Sequence, residues 1–190
     1  MTKIKSIDTI YKDFRFRSRL EARWAVFFDE LGIFWEYEKE GYEVNGIRYL
    51  PDFWLSQFDC WIEIKGDTPG YFEKLKAINL CLALEKDVHI FVGEPYMAES
   101  YSSFGFSRHY LPPEQISEML KDPKEYAVDT FSEKGFVSDA APMYFWVENS
   151  KVALKQRQVS KEEWLAFHVV PQNLKDAYVT ARQARFEFEE

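Results

Sequence analysis

The sequence predicts an α/β fold whose core runs helix, three strands, helix, strand, and three observations carry that expectation. Between Arg17 and Gly32, Leu20, Trp24, Phe27 and Leu31 recur at spacings of four, three and four, with Phe28 beside them, which is one apolar stripe of an amphipathic helix. Asn45-Gly46 separates segments of alternating aromatic and aliphatic residues. Both residues tolerate the positive φ angles of a type I′ hairpin turn. The short apolar run Val88-His-Ile-Phe-Val, following a helical pattern, is typical of a buried parallel strand reached by a crossover.

Taken in order, Ser18 stands at the first turn of the opening helix and Gly32 is its natural stop. Phe34–Glu38, Gly41–Val44 and Ile47–Leu55 then read as extended segments, the last interrupted at Pro51, which has no N–H to give a ladder. After a turn over Ser56–Asp59, Cys60–Lys65 is a strand with Ile62 and Ile64 on one face and Trp61, Glu63 and Lys65 on the other. Thr68 as cap and Pro69 as first residue open a helix to about Lys86, with Phe72, Leu75, Ile78 and Leu82 on its apolar side. Residues 95–142 read as loops with one short helix over 113–121. Met143–Glu148 and Lys151–Lys155 flank Asn149-Ser150 as a second hairpin. Ser160 to Glu163 matches a capping box for a helix to about Phe167. Pro171 opens a last helix with Leu174, Ala177 or Tyr178, Ala181, Ala184 and Phe188 at helical spacing. Residues 1–94 thus form a core with an N-terminal arm, and 95–190 an α+β elaboration packed on it.

Composition narrows the class. With 46% hydrophobic and 18% aromatic residues the chain is expected to pack as a globule. The N-terminus lacks the apolar segment of a secretory signal, and no apolar run approaches the ~18 residues that span a bilayer, so a soluble cytoplasmic protein is expected. The flanks of Cys60 and Cys81 look like element interiors, pointing to buried free thiols. His89 reads as a core histidine, while His109 and His168 lack partners at metal-ligand spacing. The net charge of −8 is awkward for a polyanion-binding protein. Yet Lys3 to Arg23 holds seven basic residues against three acidic ones, and residues 151–185 repeat the excess. A basic face on an acidic body is one reading of these clusters; ordinary solvated surface is the other.

Two carboxylates and an amine lie inside segments that otherwise read as buried strands: Asp52 after Pro51, then Glu63 and Lys65. Charges in such places are costly unless paired or bound to metal. Glu21 flanks the helical stripe and leans toward the core edge. Pro51-Asp52 and Glu63-Ile64-Lys65, with Glu21 upstream, resemble the PD-(D/E)xK nuclease superfamily. The segments Arg17-Ser-Arg-Leu-Glu-Ala-Arg-Trp-Ala, Tyr49-Leu-Pro-Asp-Phe and Trp61-Ile-Glu-Ile-Lys-Gly are similar to small nuclease-like proteins of phages and prophages.

The resemblance covers roughly residues 15–93 and implies a restriction-endonuclease-like αβββαβ core, a mixed sheet flanked by helices, that hydrolyses DNA phosphodiesters. It implies Asp52, Glu63 and the backbone carbonyl of Ile64 as ligands of Mg²⁺ or Mn²⁺, Lys65 as the group orienting water or stabilising the transition state, and Glu21 as ligand of a second metal or its water. That chemistry suits the residue types: hard oxygen donors hold such cations, and phosphoryl transfer needs charge neutralised and a water activated. Candidate contacts to DNA are Arg17, Arg19, Arg23, Lys74, Arg182 and Arg185, with Lys76 and Lys175 beside them.

Rival readings stand next to these. Asp52 accepts turn hydrogen bonds, Glu63 and Lys65 form an ion pair along a strand, and Glu21 pairs with Arg17 four residues earlier. The rival function is a catalytically silent nuclease fold that binds nucleic acid or a host or phage protein. The oligomeric state, a homodimer included, stays open.

Overall fold

The structure is a computed structural model and describes residues 7–95, 102–106, 143–156 and 170–186. In chain order its elements are β1 (Thr9–Tyr11), β2 (Phe14–Phe16), α1 (Arg19–Glu30), β3 (Trp35–Tyr37), β4 (Tyr42–Val44), β5 (Ile47–Tyr49), β6 (Phe53–Leu55) and β7 (Cys60–Lys65). Then follow α2 (Tyr71–Leu84), β8 (Asp87–Val92), β9 (Ser102–Phe106), β10 (Met143–Glu148), β11 (Lys151–Gln156) and α3 (Gln172–Gln183). The fold is mixed α/β. Five strands form the central sheet in the order β3-β6-β7-β8-β9, with β7 and β8 parallel and the other neighbours antiparallel. The α2 crossover makes the parallel pair possible, because parallel strands need a long connection.

Both faces of this sheet are covered. Trp24, Phe27 and Phe28 of α1 bury themselves against Phe53, Leu55, Ile62, Ile64 and Phe91, together with Phe145 of β10 and Leu174 and Tyr178 of α3. Leu75, Ile78 and Leu82 of α2 pack the other face with Ile47, Tyr49, Trp61, Val88 and Ile90. The alternation expected for β7 is present, but both of its faces are buried. The Ser18 hydroxyl accepts the Glu21 N–H at 3.2 Å and caps α1, and Gly32 follows the helix with φ +65. Cys60 and Cys81 are buried free thiols. Among the described residues no helix is long and apolar enough to cross a membrane.

Several expectations are corrected. The Asn45-Gly46 hairpin forms, but β4 and β5 make a two-stranded sheet of their own, and β6 pairs with β3 and β7 instead. Pro51 is the physical reason: it ends β5, and the chain bends at Asp52 before entering a different sheet. The second helix starts at Tyr71 with Gly70 as N-cap, not at Thr68-Pro69, and the Glu73 carboxylate accepts the Gly70 N–H at 2.7 Å. Phe72, expected on its apolar side, is 55% exposed. Within 95–142, read as loops, β9 adds an antiparallel edge strand to β8. The hairpin β1–β2 had no sequence expectation behind it. The short helices expected over 113–121 and 160–167, with His109, His168 and Phe188, lie outside the described residues.

Candidate active site

Asp52 sits where the chain leaves the β4–β5 hairpin and enters the central sheet. Its backbone carbonyl accepts the Glu38 N–H at 2.8 Å, and the residue is 3% exposed. The neighbouring strand brings Glu63, which is 7% exposed and lies on the same face of β7 as Trp61 and Lys65. Asp52 Oδ2 accepts the Ile64 N–H at 2.7 Å.

The direction of Ile64 follows from the ladder. The Lys65 carbonyl accepts the Gly93 N–H at 2.8 Å, so the backbone groups of Lys65 face β8. Those of Ile64, one residue earlier, face the β6 edge, since successive residues in a strand point their N–H and C=O groups to opposite sides. The β6 ladder reaches only to Phe53 opposite Ile62. Beyond it the Asp52 carboxylate takes the Ile64 N–H, and the Ile64 carbonyl lies on the same edge.

Lys65 Nζ is 2.5 Å from Glu63 Oε1 and 3.7 Å from Glu73 Oε1. Glu63 Oε2 and the Tyr49 hydroxyl are both buried and, among the described residues, neither makes a well-formed hydrogen bond, although the hydroxyl lies close enough to the Glu63 carboxylate to interact with it. Burial raises the Asp52 pKa well above the ordinary carboxylate range, and the charges of Glu63 and then Glu21 push it further, against the Ile64 N–H and the Lys65 ammonium. Burial also raises the Tyr49 hydroxyl well above its usual value, with Glu63 and Asp52 adding to it. For Lys65 burial opposes the charge, but Glu63, then Asp52 and Glu73, outweigh it; the pKa is raised and the amine stays protonated at neutral pH.

Glu21 occupies the end of α1 nearest this cluster. Both of its carboxylate oxygens are engaged: Oε1 accepts the Ser18 hydroxyl at 2.7 Å, and Oε2 accepts the Tyr37 hydroxyl at 2.6 Å and the Arg17 N–H at 3.2 Å. With the Glu21 N–H donated to the Ser18 hydroxyl, these bonds close the first turn of α1. The Arg17 side chain does not pair with Glu21. It reaches over to Asp52 Oδ1 at 3.3 Å and forms an ion pair with Glu38.

Of the other cations named from sequence, two meet at one carboxylate. Arg23 forms an ion pair with Glu94, and Arg182 Nε lies 3.8 Å from the same carboxylate. Arg19 and Arg185 are exposed and Lys74 is half-buried. His89 is a buried core residue stacked at 6.4 Å on Phe91, and burial lowers its pKa to about 4. Sequence reasoning missed Tyr37, Glu38, Tyr49 and Glu73. Tyr49 and Glu73 had weak signals, one beside Pro51-Asp52 and the other in the first turn of a helix; Glu38 had none.

Among the described residues no three His, Cys, Asp or Glu side chains converge as a ready-made metal cluster. The donor set at Asp52 and Glu63 is nonetheless of the kind that hard divalent cations take, two carboxylates and a neighbouring carbonyl. Glu63 is the strongest charge acting on Asp52, and its Oε2 is a buried acceptor that makes no well-formed hydrogen bond among the described residues. These residues therefore fit Mg²⁺ or Mn²⁺. Comparisons of the chain with protein-family models, with curated proteins and with solved structures return no match.

Proposed function

We propose that this protein is a divalent-metal-dependent nuclease with a restriction-endonuclease-like core, hydrolysing DNA phosphodiesters through an activated water. The observation that carries the reading is the placing of buried Asp52 within reach of the charge of Glu63, whose Oε2 makes no well-formed hydrogen bond among the described residues, beside a protonated Lys65 on the same strand face as Glu63. Burying two acids together is unfavourable unless something positive joins them. The sequential order α1, β3, β6, β7, α2, β8, with β4–β5 as an insertion, supports the same core.

Asp52, Glu63 and the Ile64 carbonyl would hold Mg²⁺ or Mn²⁺, which supplies charge neutralisation and a more acidic water when bound. The Ile64 N–H fixes the Asp52 carboxylate to the strand edge. Lys65, kept charged by its acidic neighbours, places a positive group where negative charge gathers on the phosphoryl oxygens. Glu73 shares the Lys65 amine and holds it near the start of α2. Glu21, with both carboxylate oxygens engaged at the start of α1, acts here by keeping Ser18, Tyr37 and the Arg17 backbone in place.

The test is cleavage of single-stranded, double-stranded and branched DNA by purified protein with Mg²⁺ or Mn²⁺. Asp52→Ala and Lys65→Ala are each expected to lower the rate by about two to three orders of magnitude while the fold survives. Cleavage that persists in both variants would sink the assignment. The net charge of −8 favours the second reading, a silent nuclease fold that binds a protein partner. No cleavage together with no metal binding would favour that reading.

A further inference from the structure

We propose that Arg17 is a built-in counter-ion that competes with the divalent cation for Asp52, so that metal enters only as the guanidinium moves off. The inference rests on the nuclease reading and deepens it. Asp52 has both oxygens engaged, Oδ2 by the Ile64 N–H at 2.7 Å and Oδ1 by Arg17 Nη2 at 3.3 Å. Any cation shared by Asp52 and Glu63 meets those two partners as competitors. The Ile64 N–H is backbone in the middle of a sheet and has no freedom to leave. The guanidinium rides on a side chain that is 57% exposed, so it is the partner able to yield.

The surroundings also give it somewhere to go. Glu38 already contacts the same Nη2 atom. Its backbone is held at φ +44, in the left-handed region that is costly for a residue with a Cβ, while its N–H is bonded to the Asp52 carbonyl. The Glu38 carboxylate is thereby stationed next to Asp52 and retains the guanidinium once Asp52 is taken. The root of Arg17 stays fixed, because its N–H is shared between Glu21 Oε2 and the Tyr37 hydroxyl. Only the side chain has to move. In the metal-free protein Arg17 does for Asp52 what the cation does later, which is to supply the positive charge that a buried carboxylate requires.

The competition is testable without any measurement of cleavage, by calorimetric titration of Mn²⁺ and by thermal melts with and without it. Arg17→Gln is expected to bind Mn²⁺ roughly ten-fold more tightly than the unmodified protein. Arg15→Gln, which removes an equal charge two residues away where Arg15 pairs with Asp8, is expected to leave the affinity unchanged. Metal-free Arg17→Gln should melt below the unmodified protein, and the gap should close at saturating Mn²⁺, since the cation then replaces the missing counter-ion.

Arg17→Lys, which keeps the charge but lacks the fork to serve two acids, should fall between the two in affinity and carries the test if Arg17→Gln does not fold. Equal or weaker Mn²⁺ binding in the Arg17 variants, or a melting deficit that persists with metal, would overturn the competition and make Arg17 a permanent structural tie. Equal tightening in Arg15→Gln would overturn it too, as a bulk charge effect. If neither the unmodified protein nor any Arg17 variant binds Mn²⁺, the nuclease reading falls with it. If the unmodified protein binds Mn²⁺ but Arg17→Gln is no tighter, only the competition falls.

Discussion

Asp52 illustrates how a residue suited to holding a cation weakens the protein that carries it. Its pKa is raised above the ordinary value of 3.8 by burial and by Glu63 and Glu21. In the pH range above 3.8 the folded state therefore binds more protons than the unfolded state, and stability falls as pH rises toward the raised pKa. Below the ordinary carboxylate value this penalty is absent. Asp52→Asn removes the charge and leaves an oxygen for the Ile64 N–H, so the metal-free variant should be more stable at neutral pH by about 1–2 kcal/mol. That corresponds to about 2–4 °C per kcal/mol for a chain of this size. Thermal melts in chelator from pH 4 to pH 8 would show the advantage shrinking toward the acid end. A variant less stable than the parent at neutral pH would mean that Arg17 and Ile64 already more than offset the burial. The charged members of this site were legible in the sequence because Asp52, Glu63 and Lys65 interrupt apolar strands. Glu38 was not, because its place depends on a backbone φ of +44 that no neighbouring residue type announces.

The β4–β5 hairpin shows the same division between local and distant information. Asn45 and Gly46 adopt φ +51 and +72, as a type I′ turn demands, so the turn could be read from two letters. Which strands the hairpin joins could not, since that depends on Pro51 breaking the chain path and on β3 offering an edge to β6. The hairpin is tied to α2 by Asn45 Nδ2 donating to Asn79 Oδ1 at 3.2 Å, and it carries Tyr49 into the candidate site. A Cβ at Gly46 would meet nothing within 4 Å, so the cost of Gly46→Ala is purely that of its positive φ. Chemical denaturation should show a loss of about 1 kcal/mol. Gly66→Ala makes the control: its added Cβ also meets nothing within 4 Å, and its φ is not in the left-handed region. It should be neutral or slightly stabilising, through the smaller entropy of the unfolded chain. Equal losses in both variants would show that the turn conformation is not what Gly46 contributes.

The core that supports α1, and with it Glu21, is assembled from both ends of the chain. Phe27 stacks on Tyr178 of α3 at 4.8 Å and meets Phe145 of β10 edge-on at 5.7 Å; Phe91, at 5.8 Å from Phe145, stacks in turn on Trp24 at 5.1 Å. Periodicity marks the inward faces of α1 and α3, yet a face does not name its partner, and for that reason the convergence of Phe145 and Tyr178 on Phe27 was not readable beforehand. It has a consequence for truncation. A chain ending at residue 95 retains α1, the site strands and α2, but leaves Phe27, Phe28 and Phe91 without Phe145 and Tyr178, and leaves β8 without β9 at its edge. Each large apolar side chain returned to water costs about 1.5–3 kcal/mol. Uncovering three of them is comparable to the ~5–15 kcal/mol by which a domain is stable, and the bare β8 edge invites self-association. The 1–95 fragment should therefore give a collapsed or aggregated product with no cooperative melt and no dispersed amide spectrum. A monomeric fragment that melts cooperatively and binds Mn²⁺ would show the opposite, that the first half holds its own core and that Phe145 and Tyr178 only decorate it.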